Sequence, residues 1–174
     1  MTDRWAHKDT MTENDRLSMP VTAHDLTRRI QHMQYGEYDQ DHDWSPCFTF
    51  KDKVDLLNAM LAEWDKTELD GKKLIVQFAR SLIVSCKWEA SVIADMLVSY
   101  ARIPEIADVV GGHLTYGAFS LAVLESMKAQ HFRNEEWLVA IRQFCATKKF
   151  IKKRKEAPEP DLYKKIDLLL TEFQ

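Results

Sequence analysis

Apolar side chains recur every three or four residues through the middle of this chain, and this periodicity constrains the fold more than any other feature. The pattern starts after Thr49 and continues, with short interruptions, to Cys145. Residues at that spacing lie on one face of an α-helix, so each stretch predicts a helix with a buried stripe. Five glycines and five prolines in 174 residues are too few for the turns of an all-β protein. We therefore expect an all-α fold, a single compact bundle of about six to seven helices.

Helix ends can be placed from capping residues. Thr22, Thr49 and Asn134 are expected to cap three helices, because their side-chain oxygens can accept hydrogen bonds from the free N–H groups of a first turn. Asp70 and Gly71 predict a turn between two helices. The predicted buried stripes are as follows: Phe50, Val54, Leu57, Leu61 and Trp64; Leu74, Ile75, Phe78, Leu82 and Ile83; Trp88, Val92, Ile93, Met96, Leu97 and Tyr100; Phe119, Leu121, Leu124 and Met127; Trp137, Leu138, Ile141, Phe144 and Cys145.

Two expectations concern how the helices meet. Gly117 is interpreted as a position of close helix contact, because glycine has no side chain to hold a neighbour away. The helices around residues 119–127 and 137–145 are expected to be antiparallel neighbours, since the connection between them is short.

Charge divides the chain into three regions. Residues 1–47 hold five basic and nine acidic side chains, and residues 128–174 hold eleven and seven, around a mildly acidic middle. We expect an acidic, partly flexible arm with one short helix over 1–47 and a helical core over 48–150. A basic segment and a terminal amphipathic helix are expected over 151–174. The chain shows no stretch apolar enough to cross a membrane and no secretion signal at its start, which predicts a cytoplasmic protein, or a nuclear one in a eukaryotic or viral setting.

A dense basic run is the clearest candidate binding segment. Like charges at this density repel one another, so the run does not serve stability. One interpretation is contact with nucleic-acid phosphates, with the aromatic ring stacking on a base. The others are an acidic protein partner or import receptor, and a solvated helix end whose charge suits the helix dipole. The candidate residues are Lys148, Lys149, Phe150, Lys152, Lys153, Arg154 and Lys155.

Two further segments carry candidate anchors for a protein partner. Tyr38 and Trp44 lie among carboxylates in an acidic and aromatic loop, a composition that suits docking into a partner's groove. The terminal helix presents an apolar stripe that can dock either on the core or on a partner. That stripe consists of Leu162, Ile166, Leu169 and Phe173.

Signals for catalysis or metal binding are weak. The alternating Asp39, Asp41 and Asp43 resemble a calcium loop, but Trp44 and Phe50 stand where glycine and glutamate are required, which excludes that motif. The odd number of cysteines at wide spacing predicts reduced thiols. We predict no catalytic residues, no metal and no cofactor.

One compact polar set remains as a place for a ligand. It consists of His113, Thr115 and Tyr116 at the expected start of a helix, and it would be the centre of an enzyme or small-ligand sensor. The sequence as a whole favours a non-enzymatic interaction protein: an accessory subunit, adaptor, inhibitor or regulator with a protein partner. Nucleic-acid binding through Lys148 to Lys155 is the first alternative, and the sequence does not fix the oligomeric state.

Overall fold

A computed structural model describes residues 20–35, 49–147 and 160–174, and these residues hold eight α-helices. Six of the helices lie between residues 49 and 147, and one lies on each side of that range, so the expected all-α bundle is confirmed. The helices are α1 (Ala23–Tyr35), α2 (Phe50–Ala62), α3 (Leu69–Ser85), α4 (Ala90–Ser99), α5 (Pro104–Gly111), α6 (Gly117–Ala129), α7 (Glu135–Ala146) and α8 (Pro160–Glu172).

The predicted caps are present. At the start of α2, Thr49 Oγ1 accepts the Asp52 N–H at 3.2 Å, and the Asp52 carboxylate accepts the Thr49 N–H at 2.8 Å. The same reciprocal pair joins Thr22 and Asp25 at the start of α1. Asn134 Oδ1 accepts the backbone N–H of the third residue of α7 at 3.1 Å. Each cap satisfies N–H groups that a helix start leaves without an intrahelical partner.

The core is built around α4 and α6, which share the most extensive helix–helix contact. Helix α8 also packs on α6, and α3 is held by α1, α2 and α5. Helix α1 contributes Leu26 to the buried core, so the short helix expected in the N-terminal arm packs with the bundle. The largest fully buried side chains are Leu26, Leu57, Met60, Leu61, Ile75, Ile93, Leu97, Ile106, Leu114, Phe119 and Leu124.

The predicted turn at Asp70 and Gly71 is wrong. These residues lie in the first turn of α3, and the chain reverses earlier, in a 3-10 turn at Trp64–Lys66. A Cβ atom on Gly71 would stand 2.6 Å from Thr67 Cγ2 and 3.3 Å from Leu26 Cδ1. Gly71 is therefore needed for the close packing of Thr67, and of Leu26 from α1, against the start of α3 rather than for a turn.

Helix α7 packs mainly on α5, which differs from the expected pairing of α7 with α6. The Trp137 indole N–H donates to the Ala107 carbonyl at 3.1 Å. A Cβ atom on Gly111 would lie 3.6 Å from the Trp137 ring. The short connection determines where α7 begins, and the contacts of Trp137 determine that α7 packs on α5.

Candidate docking surface

Trp88 is 90% exposed, more than any other large apolar side chain that the structure describes as exposed. The periodicity predicted it in the buried stripe of the following helix, and that prediction is wrong. Helix α3 ends at Ser85 and α4 begins only at Ala90, with a 3-10 turn at Lys87–Glu89 between them. The spacing from Trp88 to Val92 therefore does not run along one continuous helix.

The backbone of this turn is strained. Lys87 has a φ of 40°, in the left-handed region where a side chain crowds the backbone and costs about 1–2 kcal/mol. The turn is held from both sides, because Cys86 and Ala90 are buried. It is closed by the Glu89 N–H, which donates to the Cys86 carbonyl at 2.7 Å. The fold thus holds Trp88 outward on a fixed turn.

Trp88 follows the C-terminal end of the exposed side of α3. We define the outer face of α3 as the exposed residues of this helix spaced four, four, three and four apart, a spacing that keeps them on one side of the helix, together with Trp88 on the turn that follows. Its members are Leu69, Lys73, Gln77, Arg80, Val84 and Trp88. The opposite side of the helix is buried at Ile75, Ala79, Leu82 and Ile83.

Three large apolar side chains on this face are exposed. Leu69 is 69% exposed and Val84 is 63% exposed, in addition to Trp88. The other exposed large apolar side chains of the described ranges are distributed over α6, α7, α8 and their starts, at Tyr116, Val139 and Leu168. Single exposed apolar residues are normal on a protein surface, but a tryptophan that is 90% exposed, four residues after an exposed valine, makes this end of α3 the candidate interaction surface.

The charged residues among these six positions are positive, and the exposed carboxylate of Asp70 lies beside Lys73 on the same helix. Lys73 lies 3.5 Å from Asp70, and both side chains are largely exposed, so this pair contributes little to stability. Arg80 makes no ion pair within the described part of the chain. The surface therefore combines apolar positions with one cation, Arg80, that is unpaired among the described residues, and one weakly paired cation, Lys73.

The predicted basic run lies outside the described residues, as do Tyr38 and Trp44. Their expected contacts with nucleic acid, an acidic partner or a partner's groove therefore stay predictions.

The terminal stripe docks on the core, which was one of its two expected positions. Ile166 is 1% exposed, Leu169 is also buried, and Leu162 and Phe173 are half-buried. A Cβ atom on Gly117 would lie 3.5 Å from Leu162 Cδ2, an ordinary van der Waals distance, so α8 contacts α6 at Gly117 without requiring glycine there. In this arrangement Ile166 and Leu169 are committed to the contact with α6 and cannot anchor a partner at the same time.

His113 and Tyr116 lie together at the start of α6. Their rings are stacked at 6.0 Å between centroids, and His113 Nδ1 is 2.6 Å from the Val109 carbonyl oxygen. Thr115 and Tyr116 are exposed. This arrangement orients the imidazole through one nitrogen, and the enzyme or sensor hypothesis stays a prediction. Across the three described ranges, no group of three or more His, Cys, Asp or Glu side chains could hold a metal ion.

Cys86 lies two residues before Trp88 but is buried. Burial raises the pKa of its thiol, because the thiolate loses hydration. A thiol with a raised pKa is a poor nucleophile at neutral pH. Cys86 therefore serves the packing of the turn.

No family model, curated protein or solved structure matches the chain. None of the helices in the described ranges is both long enough and apolar enough to span a bilayer. The outer face of α3 is thus interpreted from its own geometry and chemistry.

Proposed function

We propose that this chain is a non-enzymatic interaction protein, an accessory subunit, adaptor, inhibitor or regulator, that docks on its partner through the outer face of α3. The observation that carries the proposal is Trp88, which is 90% exposed on a turn fixed by buried neighbours. Tryptophan and arginine are the residue types most enriched at the energetic centres of protein interfaces. Arg80 lies on the same face, one turn of helix from Val84.

The energetics favour Trp88 as the anchor. Burial of an aromatic side chain of this size removes on the order of 150–250 Å² from water, which corresponds to about 4–6 kcal/mol before the cost of association is subtracted. The backbone of the turn is fixed, so little backbone conformational entropy is lost when a partner covers the ring. The strain at Lys87 is of the kind that clusters at functional sites.

A photo-crosslinking amino acid placed at Gln77, on the outer face, tests the proposal in cells that produce the full chain. The matched control is Gln143, which is exposed on α7. We expect an adduct of discrete mass from Gln77 that disappears in the Trp88→Ala variant, and no such adduct from Gln143. Equal labelling from both positions, or an adduct that persists without Trp88, would overturn the proposal.

Nucleic-acid binding through the basic run is the second candidate, supported by six basic residues within Lys148 to Lys155. It predicts affinity for duplex DNA or single-stranded RNA that falls by about three to five powers of ten between roughly 50 and 200 mM salt. The variant with Lys152, Lys153, Arg154 and Lys155 neutralised should lose this binding, and Trp88→Ala should retain it. Affinity that is insensitive to salt would exclude this candidate.

A further inference from the structure

We infer that the partner of the outer face of α3 is an acidic amphipathic helix, with carboxylates flanked at both ends by apolar side chains. The inference rests on the proposed docking function and adds the chemistry of the partner. It follows from how the outer face is divided: Leu69 lies at one end, Val84 and Trp88 lie at the other, and Lys73 and Arg80 lie between them.

The distances along α3 suit a helical partner. Leu69 and Val84 are 15 residues apart, which corresponds to about 22 Å of helix at 1.5 Å per residue. Lys73 and Arg80 are seven residues apart, or about 10 Å, which is close to two turns. A partner helix of about four turns can therefore place apolar side chains at both ends of the face while its middle turns carry the carboxylates.

Charge complementarity selects carboxylates for the middle of that partner. Arg80 has no ion pair within the described ranges, and the weak surface pair of Lys73 with Asp70 can exchange for a partner carboxylate. A basic partner would place like charges opposite Lys73 and Arg80, which costs binding free energy. A neutral partner would cover Arg80 without replacing its hydration.

A second copy of this chain does not fit the outer face. In an antiparallel pair centred near Gln77, Leu69 would meet Val84 of the second copy, but Lys73 would then meet Arg80. In a parallel pair, each cation would meet its own counterpart. Both arrangements satisfy some apolar positions and place like charges opposite one another, so the occupant must differ in charge from α3 itself.

Nucleic acid fits the face less well than an acidic helix does. Its phosphates would pair with Lys73 and Arg80, but Leu69 and Val84 would then be covered by a charged backbone that offers them no apolar contact. Two cations also release few counterions, which gives little affinity on their own. The apolar ends therefore favour a protein segment.

Selection from a peptide library tests the inference. The probe is a phage-displayed library of random peptides about 20 residues long, enough to span the face as a helix. It is selected on the full chain and counter-selected on the Trp88→Ala variant. We expect enriched peptides with a negative net charge, apolar residues near both ends and Asp or Glu between them. A synthetic peptide of the enriched sequence should bind about tenfold or more weakly to Arg80→Glu, while Arg102→Glu, at an exposed position outside the face, should bind it normally.

The outcomes separate the inference from the docking proposal. Peptides that depend on Trp88 but are basic or uncharged would overturn the acidic partner and leave the docking surface in place. If no enriched peptide depends on Trp88, the docking surface itself is wrong. A fluorescent single-stranded RNA, titrated in parallel, identifies the remaining alternative, because loss of its binding in both Trp88→Ala and Arg80→Glu would replace the acidic helix with nucleic acid.

Discussion

Two tryptophans that both fall on apolar stripes in the sequence lie in opposite environments in the structure. Trp137 is 2% exposed, its N–H is bonded to the Ala107 carbonyl, and its ring lies 5.8 Å from that of Phe132. Trp88 is 90% exposed and follows a residue in the left-handed region. Both side chains fall on apolar stripes with helical spacing, so spacing alone does not distinguish a buried tryptophan from an exposed one.

The difference arises from the backbone before each ring. The chain enters α7 through the Asn134 cap, after which the helix is regular and carries Trp137 to the inner side. The chain enters α4 through the 3-10 turn at Lys87–Glu89, which redirects Trp88 outward. A stripe predicts burial only where the helix is continuous.

The largest expected effect on stability comes from the buried tryptophan, Trp137. Trp137→Ala should lower the free energy of unfolding by about 3–5 kcal/mol, because it removes a fully buried ring and leaves a cavity. For a chain of this size, the midpoint of thermal unfolding should fall by about 2–4 °C per kcal/mol. A loss below about 1 kcal/mol, measured by thermal unfolding, would contradict the packing described for α5 and α7.

The next largest effect on stability is expected at Gly71, on the inner side of α3. Gly71→Ala should destabilise the protein, because its Cβ would lie 2.6 Å from Thr67 Cγ2. Overpacking costs about 1–3 kcal/mol, and the gain in helix propensity offsets up to about 1 kcal/mol. Gly112→Ala is the matched control, since a Cβ there would meet no atom closer than 3.4 Å. Urea titrations should show the loss in the Gly71 variant and little change in the control; equal stability of the two variants would refute the close approach.

The strained turn should yield a small gain when its side chain is removed. Lys87→Gly should raise the free energy of unfolding by up to about 1 kcal/mol, because glycine adopts a φ of 40° without crowding. Lys87→Ala should not raise the free energy of unfolding, since it keeps the Cβ atom while removing the same charge. Chemical unfolding of the pair separates strain from charge, and a gain in both variants would assign the effect to the charge.

The Cys86 thiol is expected to give the free energy of unfolding a still smaller dependence on pH. Burial raises the pKa of its thiol in the folded state, so the folded protein binds this proton more tightly than the unfolded chain does. The resulting stability is present below the thiol's unfolded pKa of about 8.5 and is lost as pH rises through the folded pKa. Unfolding measured across that alkaline window should show a steeper loss in the parent than in Cys86→Ala. Parallel curves for the two proteins would show that the Cys86 thiol does not contribute to this pH dependence.

The fold could be predicted largely from the sequence, because caps and stripes are local. Thr49, Asn134 and the stripe of α2 act through residues three or four positions away, and the structure confirms them. The role of Gly71 could not be predicted, because it depends on the position that the 3-10 turn gives Thr67 and on Leu26, which is 45 positions away in the sequence. The docking of α8 on α6 likewise depends on contacts that no local pattern specifies.

The candidate surface cannot be predicted from the sequence for a related reason. The break between α3 and α4 carries neither glycine nor proline, so no sequence signal marks the left-handed Lys87. The one available clue was the outer face itself, since Leu69 and Val84 interrupt an otherwise polar side of a predicted helix. Apolar residues on both sides of a helix indicate a second interaction, but sequence alone does not show which side faces the core.

We propose that Trp88 serves a partner and not the fold, and the Trp88→Ala variant tests this role directly. Trp88→Ala should unfold within about 0.5 kcal/mol of the parent, as expected for an exposed side chain, and should lose the adduct formed from the photo-crosslinker at Gln77. Val139→Ala, which removes an exposed apolar side chain from α7, should change neither property. An adduct that persists in Trp88→Ala, or a large loss of stability in that variant, would contradict this role of Trp88.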